Sequence, residues 1–115
     1  MTQNASPAYA HIPDLLGEVT IPKDGILSRA VYADDRIKAV MFGFDAGQEL
    51  SEHTASMPAV IHILKGDAEI ALGGDVLQAT PGAWIHMEAN LTHRVTAHTP
   101  TVMLLLLLKE AAAAG

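Results

Sequence analysis

The sequence contains no cysteine, which excludes disulfides, thiolate metal sites and cysteine nucleophiles together. Basic residues are scarce: seven Lys and Arg stand against thirteen Asp and Glu, a formal charge of −6 at pH 7. They are also scattered, whereas a nucleic-acid interface needs them clustered on one face, so nucleic acid is not expected as a partner. Long apolar runs are missing as well. The longest, Val102 to Leu108, is seven residues, far short of the ~20 a bilayer-crossing helix requires, and no membrane partner is expected. The polar stretch Met1 to Ala10 lacks the basic-then-apolar layout of a secretory signal, and the expected location is the cytoplasm.

What is present is apolar material in quantity. Half of the 115 residues are hydrophobic, with a mean hydropathy of +0.24. That supports a real core and suits one domain over residues 1–115.

Turn formers punctuate the chain at short, regular intervals: Gly17, Pro22, Gly25, Gly43, Gly47, Pro58, Gly66, Gly73-Gly74, Pro81-Gly82, Asn90 and Pro100. Between them lie strand-length runs rich in Val, Ile, Leu and Thr: Ile26–Tyr32, Ile37–Phe44, Ala59–Lys65, Ala68–Leu72, Ala83–Met87, Thr92–His98 and Thr101–Leu108. Short strands at about 8–12 residue spacing with turns between them predict an all-β sandwich or barrel. Helix signals are few. Ile12–Val19 can form one turn, and Leu104–Ala114 holds good helix formers. The leucine run has no polar face at 3.6-residue spacing, however, and reads as a strand buried on both sides. Residues 1–17 read as an N-terminal extension and residues 111–115 as a frayed tail.

Residues 47–97 resemble the cupin family. The first cupin motif, G-x5-H-x-H-x3-E-x6-G, falls in register on Gly47, His53, Ala55, Ala59 and Gly66. The second, G-x5-P-x-G-x2-H-x3-N, falls on Gly82, Glu88, Asn90, His93 and Ala97. Every interval is kept while several identities change. The resemblance implies a cupin-type jelly-roll β-barrel, also called a double-stranded β-helix. It also implies that His53 and His93 occupy two of the three histidine positions of the family's metal site. Ala55 and Ala59 stand where its other histidine and its glutamate would be.

Two imidazoles alone hold a divalent ion weakly, since a catalytic site generally takes three protein ligands. The candidates for a third are His62, His86, Glu49 and Glu52. In the barrel that the resemblance implies, the strands carrying His62 and His86 are neighbours, so these two could face each other at about 5 Å. Side-chain alternation argues against their joining His53 and His93. With Ala59 inward, Ile61, Ile63, Ala83, Ile85 and Met87 also point in, while Val60, His62, Leu64, Trp84 and His86 point out. One β-bulge would reverse this. The outward set is an apolar patch that a lone barrel would not leave bare, so a homodimer is expected, with His62 and His86 near its interface.

The expected ligand pocket is lined by His53, His93, Gln48, Ile61, Ile63, Ile85 and Met87, with Thr96 as a further polar member. Apolar walls with a few convergent polar groups are the usual form of a small-molecule site. The functional expectation is a small-molecule-binding barrel, its ligand unnamed, built around a weak or non-standard site for iron, nickel, zinc or manganese, with no organic cofactor implied. The alternative is a metal-dependent enzyme of the oxygenase, isomerase or decarboxylase type, chemistries that occur on cupin barrels. Without a metal, two imidazoles can still act as an acid–base pair. A barrel that packs solid is the purely structural reading. Met57-Pro58 is expected at the pocket rim, His11 and His98 at the periphery, and Asp34-Asp35-Arg36 in a solvated turn.

Overall fold

The computed structural model describes residues 8–109. It holds nine strands: β1 Ile26–Ala33, β2 Ile37–Phe44, β3 Glu49–His53, β4 Ala59–Lys65, β5 Ala68–Leu72, β6 Asp75–Ala79, β7 Trp84–Met87, β8 His93–Ala97 and β9 Thr101–Leu108. One 3-10 turn, Leu15–Glu18, precedes them. Every strand pair is antiparallel, and the strands form two sheets, β1-β2-β9-β4-β7 and β3-β8-β5-β6. This is the expected all-β jelly roll. The expected frayed tail at 111–115 lies outside the described residues. No helix among those residues is long and apolar enough to cross a membrane.

All seven runs picked out by their apolar content are strands, with ends displaced by one residue at most. Strands β3 and β6 lie outside these runs; in β6, Asp75 to Gln78 are all exposed, Val76 and Leu77 included, and only Ala79 is buried. Strand β6 exists because the Gly73-Gly74 turn folds it back on β5, with Leu72 opposite Asp75. An edge strand paired on one side needs no buried alternation of its own.

The interior forms where the two sheets face each other. Phe44, Ile61, Ile63, Ile70, Val95 and Met103 are fully buried there, each contributing about 1.5–3 kcal/mol of apolar burial. Phe42 and Phe44 stack at 6.0 Å. Strand β9 runs between β2 and β4, and its leucines divide by parity. Leu105 and Leu107 pack on the interior, while Leu104 and Leu106 join a second cluster on the outer face of the five-stranded sheet. That outer cluster contains Val19, Ala39, Met41, Val102 and Leu104, with Leu15 and Ile21 packed against it. The segment 15–21 is thus a strap laid over the sheet. Gly43 lets it lie close, because a Cβ there would sit 2.6 Å from the Thr20 carbonyl oxygen.

Register places the outward histidines. His62 pairs with Trp84, and Val60 with His86. His62 and His86 are therefore diagonal neighbours, not the direct cross-strand partners that were expected.

The turn between β1 and β2 is held by Asp34, as an exposed turn residue can be. Its carboxylate accepts hydrogen bonds from the Tyr32 hydroxyl (2.7 Å) and the backbone N–H groups of Arg36 (2.7 Å) and Ile37 (2.9 Å). The Tyr32 hydroxyl, then the two amides, pull the carboxyl from its ordinary 3.8 down to about 2. A depressed acid stabilises the fold above its unfolded value, and that contribution is lost as pH falls through the folded one. The window is therefore between about pH 4 and pH 2. Across it, thermal unfolding of Asp34→Asn should fall less steeply with acid than that of the wild type; parallel slopes would show that Asp34 is not linked to folding.

Candidate functional site

Two loops and one turn close the same end of the barrel: 54–58 between β3 and β4, 88–92 between β7 and β8, and 73–74 between β5 and β6. The Asn90 N–H donates to the Ala55 carbonyl at 2.7 Å and ties the first two together. Asn90 has φ +66, a left-handed conformation that Asn tolerates better than most residues.

His53 ends β3 and His93 begins β8, and they are cross-strand partners in this mouth. Their ring centroids lie 4.1 Å apart with planes inclined at 59°. His93 is buried, at 6% exposure, between His53 on one side and Leu72 on the other, while His53 is open to solvent. A register shift between Leu50 and His53 lets both Leu50 and His53 face inward, as a one-residue bulge does.

Backbone carbonyls hold both rings. Nδ1 of His53 is 2.7 Å from the Ser51 oxygen, and Nδ1 of His93 is 2.9 Å from the Leu91 oxygen. A carbonyl only accepts, so each Nδ1 carries the proton and each Nε2 is left for something else. Such second-partner bonds are how proteins orient an imidazole toward a ligand.

The walls below the pair are apolar. Ile61, Ile63 and Met87 are buried in the interior cluster, and Leu50, Leu72, Ile85, Leu91, Leu105 and Leu107 pack against it half-buried. Leu50 and Leu91 carry no sequence signal of their own, because both fall within motif spacers. A separate rim cleft of ≈ 400 Å³ lies between Ser56, Met57, Pro58, Ala89, Leu108 and Lys109.

Several expected members lie elsewhere. Gln48 is at the other end of the barrel: its carbonyl accepts from the Ala97 N–H, and Ala97 is four residues from His93 along β8, about 13 Å. Thr96 faces out of the four-stranded sheet, where its hydroxyl donates to Glu49 at 3.0 Å. Glu49 is on that outer face too, 3.9 Å from Arg94, and cannot serve as a third ligand. His62 and His86 point out of the other sheet, paired with Trp84 and Val60. The β4 register shift falls between Ile63 and Lys65, beyond His62, and so does not turn it inward. Glu52 is exposed within the β3 irregularity. Among the described residues no three His, Asp or Glu side chains are grouped to hold a metal ion.

The cupin domain profile matches residues 40–108, which takes in both motif segments and seven of the nine strands in full. The chain belongs to the cupin family. Among solved structures, this cupin is similar to a conserved protein of unknown function from Streptococcus pyogenes, with 31% identity, a TM-score of 0.80 and coverage of 97% of this chain and 98% of that one. An RmlC-like cupin from Desulfovibrio desulfuricans is 27% identical, with a TM-score of 0.78 over 87% of this chain and 97% of its own. A cupin superfamily protein from Desulfitobacterium hafniense shares the fold at 23% identity and a TM-score of 0.79, over 90% and 94% of the two chains. No functionally curated protein matches the sequence.

Against the family's centre of three histidines and a glutamate, this donor set falls short. His53 and His93 keep two ligand positions, and Ala55 and Ala59 supply no donor at the others. The residues present do not fit a four-ligand metal centre.

Proposed function

We propose that this cupin binds a small molecule at the end of its barrel that carries His53 and His93. The ligand's apolar part lies against Leu50, Leu72, Met87 and Leu107, and its polar end meets the Nε2 atoms of His53 and His93. One observation carries this: two imidazoles converge at 4.1 Å, with both Nδ1 atoms already committed to backbone carbonyls. Two imidazoles oriented side by side above apolar walls can fix a ligand with few polar contacts.

The same tautomers favour a second reading, a weakly held iron, nickel, zinc or manganese ion on the two Nε2 atoms, completed by donors of the bound molecule.

Thermal-shift screening of apolar carboxylic acids and alcohols against untagged protein, with and without zinc or nickel, tests both. A ligand at ten times its Kd adds about 1.4 kcal/mol to stability, a rise of several degrees. His53→Ala and His93→Ala should each abolish the response. A response unchanged in both variants moves the ligand away from the pair, and one seen only with added metal selects the second reading.

A further inference from the structure

All seven Lys and Arg residues of the chain lie within the described residues, and one of them has an inward position. Arg29 pairs with Met41, and Lys65 with Val102, both members of the outer cluster. Arg94 reaches Glu49 and Glu69 on the outside of the four-stranded sheet. Lys23, Arg36 and Lys109 stand outside the strands. Lys38 is different. Ala39 and Met41 of the same strand belong to the outer cluster, so alternation puts Lys38 with Phe42 and Phe44 on the inner face of β2.

The cross-strand row through it runs Lys38–Leu107–Ala59–Met87. Leu107 and Met87 are walls of the proposed site, and Ala59 stands at the family's glutamate position. The inner wall also loosens toward this end of the barrel. Phe44 and Met103 are fully buried, whereas Lys38, Val40, Leu105 and Leu107, nearer the histidine mouth, are half-buried. Among the described residues, no carboxylate lies within ion-pair distance of the Lys38 ammonium. A half-buried cation on an apolar wall, with no counter-charge from its own chain, is placed to take an anion from outside.

We infer, on the reading of the histidine mouth as a ligand site, that Lys38 holds the anionic end of the ligand. That ligand is an apolar hydroxy acid: its carboxylate pairs with the Lys38 ammonium and its hydroxyl donates to a histidine Nε2. The tautomers assign the two ends. With each Nδ1–H on a backbone carbonyl, the Nε2 of a neutral imidazole offers only a lone pair. A carboxylate offers only lone pairs too, so the rings cannot receive it, whereas they accept from a hydroxyl. His93 remains reachable although buried: among the described residues no side-chain nitrogen or oxygen is sealed off without a partner. The carboxylate is left to the one inward cation. Glu52 and Glu88 are both exposed, so solvent and salt screen their repulsion of an anion. From β2 to β4 is two strand spacings, about 10 Å, and the ligand's apolar body covers that distance along Leu107 and Met87.

Isothermal titration at pH 8, where free imidazole is neutral, with 2-, 3- and 8-hydroxyoctanoate and their methyl esters tests this. The best-binding acid should outbind its own ester by about tenfold or more, the scale of one charge-assisted hydrogen bond. Lys38→Met keeps the apolar stem and removes the charge. It should bring the acid down to the level of the ester without moving the ester, while Lys38→Arg keeps the preference. An acid preference that survives in Lys38→Met overturns the inference, as does a wild type that binds acid and ester alike. Either result leaves the histidine site standing if His53→Ala and His93→Ala still abolish binding. Probes that bind the two histidine variants as well as the wild type, or that do not bind the wild type at all, overturn the reading of the site and the role of Lys38 with it.

Discussion

Gly66→Ala should lower the unfolding midpoint of this cupin by about 10–20 °C, from a loss of about 3 kcal/mol. Two independent costs meet at this residue. Its φ is +83, a region that costs an L-residue about 1–2 kcal/mol. An added Cβ would also run into the Pro100 carbonyl and approach Thr101 Oγ1 to 2.7 Å and its Cα to 2.8 Å. These are backbone and buried atoms that cannot swing aside. Thr101 is fully buried at the start of β9, so relief would have to displace the central strand of the larger sheet. The neighbouring β5–β6 turn provides the control: a Cβ at Gly74 meets nothing within 4 Å, and Gly74→Ala should move the midpoint by about 4 °C or less. Calorimetric melts of the two variants side by side decide the matter. Equal melting temperatures would mean that the β4–β5 turn yields without moving β9.

Refilling the two vacant ligand positions should have the other large effect. Ala55→His combined with Ala59→Glu restores the donor types that the family pattern implies, beside a histidine pair whose Nδ1 atoms are already anchored. Metal uptake measured by elemental analysis should rise to about one equivalent of zinc or nickel, because four protein donors replace two. Stability should respond in the opposite sense before metal is added. Ala59 is 2% exposed, opposite Met87 and Leu107, and a carboxylate placed there without a counter-charge destabilises by several kcal/mol. Metal at a hundred times its Kd should return about 2.7 kcal/mol of that. Adding His93→Ala to the double variant should remove the metal again. No uptake by the double variant would show that positions 55 and 59 do not face the histidine pair, which would undercut the mouth as a binding site too.

Much of this architecture was legible in the sequence because of alternation. Ala59, Ile61 and Ile63 face in, while Val60 and His62 face out, since a strand buried on one side has no other way to place its side chains. Turn spacing marked seven strands, and motif spacing brought His53 and His93 together across 39 intervening positions of chain. The errors fall where pairing decides and composition is mute. Strand β6 is almost wholly exposed, Val76 and Leu77 included, and is made by its hairpin. Gln48 sits inside a motif spacer yet lies at the far end of β3, because distance along a strand is distance through the barrel. Glu49 and Thr96 are acceptor and donor on the solvent face, a consequence of the register between β3 and β8.

Alternation and turn residues, both local, were enough to specify an all-β barrel and the parity of its walls. Three further things required the folded chain: that carbonyls of Ser51 and Leu91 orient the two imidazoles, that a strap closes over one end of the outer sheet, and that Lys38 shares one inner row with Leu107 and Met87. Each depends on which residue lies opposite which across strands and loops far apart in sequence. That is set by the summed packing of two sheets and by no short stretch within either.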